Sequence, residues 1–376
     1  VPAELPILLD GASGEGGGQL LRTALSLAAV TGRAFTIHRL RAHRPKPGLR
    51  PQHREAARAV ARLCGGELTG DELGSSRLEL RPGARVSPSD LVLDIGTAGS
   101  TPLLLQTLCW PLALAGGPST LTLRGGTHQD HAPSFHYLAL VWAPAVARLG
   151  FKVELSLQAA GFWPEGGGEL SARIEPARPM PPLDLRHRGT LREVEVISMV
   201  GGLEHDVADR QARQALLALR TAGVVAEVER LPVPVRGSRG SHVLVVATFD
   251  RTRSGHGAIG GREAGPEQTA ERAVAGFRDH LEGRGAVDKH LGDQLLLPAA
   301  LLAAGLVPGP PGVVPATRYT VGEVTGHLLA NAEVIRRFLD VEVAVLGREG
   351  EPGEVRVQPP GAGLEVLPLP HDEGGR

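Results

Sequence analysis

The feature that most limits the fold is an internal echo. A short apolar strand, Ile7-Leu8-Leu9-Asp10, runs into the glycine-rich loop 11–18 and then a helix expected over residues 19–30, which stops at Thr31-Gly32. Leu93-Asp94-Ile95-Gly96 stands 84 positions after Leu9-Asp10 and again pairs a strand with a glycine-containing loop. Recurrence at such a period implies stacked copies of one supersecondary unit. The first copy continues with a strand at 35–40, a basic loop, a helix at 52–63 ending at Gly65-Gly66, and a strand at 77–80. The second continues with a helix at 102–114 ending at Gly116-Gly117 and a strand at 120–123. A helix at 134–149 ending at Gly150 and strands at 152–157 and 169–174 complete it. Each copy reads β-α-β-α-β-β, a layer of two helices on a four-stranded sheet.

A third copy is split. Its helices are read at 295–304 and 327–339, and its strands at 341–346 and 354–357. Residues 184–284 differ in character and carry their own strands (193–197, 242–247) and helices (206–222, 267–282). The expectation is an α/β (α+β type) protein. Residues 1–183 and 285–358 form a large catalytic domain of three repeats, 184–284 an inserted small α/β domain, and the Pro- and Gly-rich stretch 359–376 a flexible tail.

Composition excludes several classes. Of the 376 residues, 42% are hydrophobic and 22% charged, an ordinary globular balance with enough length for a sizeable core. The net charge of −1 gives no global pull on nucleic acid, so any such site must be a local basic patch. Basicity lies almost wholly in arginine, since Lys46, Lys152 and Lys289 are the only lysines. The two cysteines, Cys64 and Cys109, sit in apolar helical patterns and read as buried thiols of a reduced compartment. No cysteine–histidine spacing suggests a zinc site. With no signal peptide and no apolar run long enough to span a bilayer, the expectation is a soluble cytoplasmic protein.

Three segments carry chemistry. In Asp10-Gly11-Ala12-Ser13-Gly14-Glu15-Gly16-Gly17-Gly18-Gln19, glycines let backbone N–H groups crowd an anion at a helix N-terminus. A carboxylate there repels phosphate unless a cation bridges them, which suggests Mg²⁺ or Mn²⁺ on Glu15; a tight turn with a solvated glutamate is the alternative. Gln19 and Arg22, three apart, share a helix face and can reach one ligand. Residues 39–53 hold the densest basic run, including Arg41, Arg44 and Gln52, and their prolines suggest a stiff extended course able to aim arginines at one phosphate. The run has no interleaved aromatic residues, so base stacking is not its main work. Third, His327 follows Thr325-Gly326 at the start of a helix, where the dipole disfavours imidazolium. A neutral imidazole beside a phosphate-binding helix end can attack phosphorus. Gln106, the polar turn 125–133 and Asp293-Gln294, placed at the beginning of a helix, stand near glycines and read singly as structural.

Taken together, DGASGEGGGQLLR (10–22), RAHRPKPGLRPQ (41–52), GTAGSTPLLLQ (96–106), LGDQLLLP (291–298) and GHLLAN (326–331) resemble the RNA 3′-terminal phosphate cyclase family, in order and across nearly the whole chain bar the tail. The family fold is three β-α-β-α-β-β units plus an inserted small domain, in agreement with the organisation read above. The resemblance implies ATP-dependent conversion of an RNA 3′-phosphate to a 2′,3′-cyclic phosphate through histidine–AMP and RNA-pp-A intermediates, with His327 as nucleophile. It implies metal on Glu15 and contacts to ATP phosphates or the RNA terminal phosphate from Arg22, Arg41, Arg44 and Gln52, with Gln106 lining the same pocket. Pro133 falls at one wall of the adenine site, and Asp293 and Gln294 at ribose and base contacts. Relatives commonly place tyrosine opposite Pro133; this chain has His290, a smaller stacking surface. Ala330 replaces the threonine often found before Asn331. Two other classes stay in view. A non-catalytic cyclase-like factor of RNA processing and ribosome assembly lacks the nucleophilic histidine, and an enolpyruvyl transferase needs lysine and arginine pockets.

Overall fold

The computed structural model describes residues 5–14, 17–261, 264–307 and 314–361. The first unit contains β1 (Ile7–Asp10), α1 (Gln19–Thr31), β2 (Phe35–His38), α2 (Pro51–Leu63), β3 (Glu67–Thr69) and β4 (Leu78–Arg81). Its sheet runs β1-β2-β4-β3, parallel between β1 and β2 and antiparallel thereafter. Gly32 ends α1 in the left-handed conformation (φ 73°), its N–H bonding Ala28 O, as a C-terminal glycine permits.

The second unit repeats the order. β5 (Asp90–Asp94), α3 (Thr101–Ala113), β6 (Ser119–Gly125) and α4 (Phe135–Tyr137) lead into a π-helical turn, Leu138–Trp142. Then come α5 (Ala143–Ala147), β7 (Val153–Ala159) and β8 (Gly168–Ile174), in a sheet ordered β5-β6-β8-β7. The unbroken helix expected over 134–149 is therefore three segments. Pro144 contributes no N–H, and just before it the bonding widens, Ala143 N–H reaching Leu138 O.

β9 (Leu183–Leu185) opens the third unit, and a different sheet follows before that unit resumes. This sheet comprises β10 (Leu191–Gly201), β11 (Glu227–Val233), β12 (Gly240–Phe249) and β13 (Arg253–Gly260), ordered β11-β10-β12-β13, with helices α6 (His205–Thr221) and α7 (Pro266–Glu282). A separate core of Val194, Val196, Ala215, Val245, Val274 and Phe277, among others, lies under it. The third unit then resumes with α8 (Lys289–Ala303), β14 (Thr317–Val321), α9 (Gly326–Phe338), β15 (Glu342–Leu346) and β16 (Gly353–Gln358). Its order, β9-β14-β16-β15, is that of the other two units. The inserted sheet thus falls between the third unit's first strand and first helix.

The three units meet through their helices: α1 packs on α2, α3 and α9, and α8 packs on α9. This explains why residues 20–29 of α1 are almost all buried, since neighbours surround the helix. Around α3, Trp110 stacks edge-on against Trp142 and Phe151 at 5.8 and 5.3 Å between ring centroids. Cys64 and Cys109 are buried and unpaired; burial raises both thiol pKa values and suppresses the thiolates. Among the described residues, no helix is long and apolar enough to cross a membrane. Of the tail expected at 359–376, residues 362–376 lie outside the described residues.

Candidate active site

The loop after β1 is anchored at its start. Asp10 Oδ1 accepts from Ala12 N (3.0 Å) and from Arg39 Nε (2.9 Å), and Arg39 holds the carboxyl below its usual pKa. At the far end, glycine is required by close approach. A Cβ at Gly18 would overlap the His53 ring, and one at Gly17 would stand 3.0 Å from Arg44 Nη2 and 3.4 Å from His327 Cε1. A Cβ at Gly14 would lie 3.4 Å from Ala330 Cβ and 3.5 Å from Gly326 O. The first repeat's loop therefore rests against the N-terminus of α9 in the third repeat. Glu15, the expected metal ligand, lies outside the described residues.

His327 occupies the first turn of α9, as its sequence position implied. Thr325 caps this helix: its hydroxyl accepts from Leu328 N (3.0 Å) and donates to Asp293 Oδ1 (2.5 Å). That second bond fixes the first turn of α9 to α8. The imidazole thereby shares the surroundings of Gly17 with the Arg44 guanidinium, although 283 positions separate the two in sequence.

Next to this point, α1, α3, α8 and α9 enclose a cleft lined by Gln19, Arg22, Gln106, Asp293, Gln294 and Asn331. Its walls are cross-linked by amides. Arg22 donates to Gln19 Oε1, Gln19 Nε2 donates to Asn331 Oδ1 (3.3 Å), and Gln106 Nε2 donates to Gln294 Oε1 (2.8 Å). Burial pushes the Arg22 pKa down to about 10, which leaves it charged at neutral pH. A guanidinium drawn from solvent beside neutral amides is a strong anion ligand.

Two sequence expectations are corrected. The basic segment is not extended: Arg39 and Arg41 have φ of 54° and 55°, and turns close at Ala42 N–Arg39 O and Arg44 N–Arg41 O. Arg41 Nη1 donates to Lys46 O (2.8 Å) and Gly48 O (3.1 Å), so its side chain holds the folded loop together from within. Asp293 does not begin a helix. Asp288 is the cap of α8, accepting from His290 N (3.1 Å) and Leu291 N (2.9 Å), and Asp293 and Gln294 lie in the second turn.

The remaining expected residues fall at the margins. Gln52, in the first turn of α2, accepts from Ser100 N (2.8 Å) and binds the second repeat's loop to the first repeat. Pro133 is half-buried just before α4, and His290 is exposed in the first turn of α8. A hydrogen bond from Tyr137 Oη to Asp288 Oδ1 (2.9 Å) brings those two helix starts together.

Residues missed from the sequence include Thr23, Ser26 and His53. Thr23 Oγ1 donates to Asn331 Oδ1 (2.6 Å), and Thr23 and Ser26 both line the cleft. The signal was present: positions 19, 22, 23 and 26 are all polar at i, i+3, i+4 and i+7, while the other residues from Leu20 to Val30 are apolar. His53 is buried against Gly18, and its pKa is driven down to about 3, first by burial and then by Arg22, Arg41 and Arg50.

Positive charge on a scaffold of neutral amides suits a phosphorylated ligand, and an imidazole at its edge suits chemistry on phosphorus. Comparison with known proteins gives the specific relationship. The profile of the RNA 3′-terminal phosphate cyclase family matches residues 13–345. A protein of that name from Methylococcus capsulatus is 40% identical over 364 residues, 95% of this chain and 97% of the relative. Others so named come from Trichormus variabilis (40% identical; 88% of this chain, 93% of the relative) and Methanopyrus kandleri (38%; 94% and 99%). The chain belongs to the RNA 3′-terminal phosphate cyclase family. Among solved structures, the enolpyruvyl transferase NikO from Streptomyces tendae matches with a TM-score of 0.26 and 14% identity over 45% of this chain and 33% of that one, too slight a likeness to carry an argument.

Proposed function

We propose that this chain uses ATP to convert an RNA 3′-terminal phosphate into a 2′,3′-cyclic phosphate, with His327 as the covalent nucleophile. The observation that carries the reading is the position of His327 beside Gly17 and Arg44, next to the Arg22 cleft. In the first step a neutral ring nitrogen of His327 attacks the α-phosphorus of ATP and pyrophosphate leaves, placing AMP on the imidazole. An oxygen of the RNA 3′-phosphate then takes the AMP, which frees the histidine and gives an RNA-pp-A end. Finally the ribose 2′-OH loses its proton, attacks the activated phosphorus and expels AMP. Each stage replaces one difficult displacement with an easier one.

In this reading Gln19, Arg22, Arg44 and Gln52 bind phosphate oxygens, and Arg41 acts chiefly by shaping the loop that presents Arg44. Gln106 holds Gln294 in place. Asp293 and Gln294 take the ribose and base, and Pro133 and His290 flank the adenine. Glu15 is the residue proposed to hold Mg²⁺ or Mn²⁺, which would neutralise charge on the triphosphate. Residues 1–183 with 285–358 are read as the catalytic domain and 184–284 as an inserted one.

The test is a 3′-phosphorylated oligoribonucleotide incubated with protein, ATP and Mg²⁺, followed by phosphatase. An end that becomes phosphatase-resistant only when ATP is present supports the reading. Folded protein that leaves the end phosphatase-sensitive contradicts it.

A further inference from the structure

We propose that His128, His136 and His242 form a binding site for one divalent transition-metal ion of the zinc class, fastening the inserted sheet to the second repeat. His128 lies in the loop after β6, His136 in α4 and His242 in β12, so three elements from two parts of the molecule converge. Each ring offers a nitrogen, and the three nitrogens lie within 4.8 Å of one another. The three residues are 0%, 8% and 1% exposed, so the cluster is buried.

The chemistry of the cluster selects the ligand. It holds three imidazoles and, among the described residues, no carboxylate or thiolate. Imidazoles suit Zn²⁺, Co²⁺, Ni²⁺ and Cu²⁺, whereas Mg²⁺ and Mn²⁺ prefer oxygen. The site is thus chemically distinct from the one proposed at Glu15.

Local bonding favours this role over a purely hydrogen-bonded triad. His128 Nε2 and His136 Nδ1 are 2.9 Å apart and can share a single proton. His242 Nδ1 is buried with no hydrogen-bond partner among the described residues, a state that proteins rarely tolerate. Binding at Zn–N distances of about 2.0–2.1 Å would need the nitrogens only about 3.3 Å apart, within reach of small ring rotations. Thr127 supplies the outer support. Its Oγ1 accepts from Gly161 N (2.9 Å) and lies 2.8 Å from His128 Nδ1, positioned to accept Nδ1–H and leave Nε2 free to ligate.

Nothing in this proposal depends on the cyclase reading, and its test needs no substrate. Full-length protein is stripped with chelator, loaded with Zn²⁺, desalted and assayed for metal; a second sample is titrated with Co²⁺ alone and followed by its visible d–d absorption. The expected results are about one equivalent of retained zinc, saturable cobalt bands and a higher melting temperature with metal. His136→Gln and His242→Gln should lose the bands, and Thr127→Val should weaken binding about 10- to 100-fold. His327→Ala should keep them. Folded wild-type protein that retains no zinc and gives no cobalt bands overturns the proposal, whether or not the variants fold. Undiminished binding in both histidine variants overturns it equally, because the ion then sits elsewhere.

Discussion

The first and second repeats share one strand order and one strand–loop–helix opening, and their opening helices both face the cleft, but with different side chains. In α1, positions 19, 22, 23 and 26 are Gln, Arg, Thr and Ser, facing the cleft. By the 84-residue offset of the two openings, the matching positions of α3 are Leu103, Gln106, Thr107 and Trp110, and the last three line the same cleft without a charged group. The helix ends differ likewise. Ser100 caps α3 by accepting from Leu103 N (3.2 Å), whereas Gly18 offers α1 no side-chain cap. The capped copy brings only neutral side chains to the cleft. The uncapped copy keeps backbone donors and a guanidinium for a ligand. The two units share a strand order, and a cap and one charged side chain distinguish their opening helices.

The largest contrast is expected between glycines of the two loops. Gly18→Ala drives a methyl group into the buried His53 ring, and activity should fall at least about a hundredfold, since displacement near a reacting centre is costly. Gly96→Ala meets open space, so only its φ of 70° is strained, at about 1–2 kcal/mol of stability with activity kept. Parallel assays and melting curves of both variants decide this; equal losses of activity would erase the distinction between the repeats.

Arginine chemistry gives the next effect. Arg22→Met and Arg44→Lys should each lower kcat/KM about tenfold to a hundredfold, since a charged hydrogen bond contributes about 1.5–3 kcal/mol and lysine lacks the forked geometry. Arg124→Lys in the second repeat alters a surface pair with Glu169 and should leave kcat/KM unchanged. Supplying pre-adenylylated RNA sharpens the result. A defect that disappears with that substrate assigns the arginine to ATP, and one that persists assigns it to the RNA end.

A smaller effect concerns His53. Its folded pKa of about 3 lies below the unfolded value, so above about pH 6.5 neither state binds the proton. As pH falls through that value the unfolded chain takes up the proton first. Stability should then drop by up to about 1.4 kcal/mol per pH unit towards pH 3. Denaturant titrations between about pH 6.5 and pH 5 should show a shallower slope for His53→Gln; identical slopes would place the acid sensitivity elsewhere. Smallest is Ser100→Ala, which should cost about 1 kcal/mol of stability through the lost cap and leave activity intact.

Much of this frame could be read from the chain because apolar periodicity and terminal glycines mark long helices well. The third repeat was harder. Its first strand, Leu183–Leu185, is three residues long, and its second, Thr317–Val321, carries a buried Arg318 that masks the strand pattern. Residues joined by spacing along one helix, such as Gln19 and Arg22, were legible. The contact of His327 with the first repeat's loop was not, because it depends on how α9 packs against α1. The fold of the basic loop was also hidden. Its prolines suggested an extended course, whereas the turns rest on left-handed Arg39 and Arg41, a conformation seldom taken by arginine.

The most direct test of the account is covalent. The protein is incubated with ATP labelled at its α-phosphorus and a divalent metal, denatured, separated on a gel and digested for peptide mapping. The account predicts an acid-labile label on the peptide containing His327, absent from a folded His327→Ala variant. Label that persists on His327→Ala, or that maps to another residue, would contradict it.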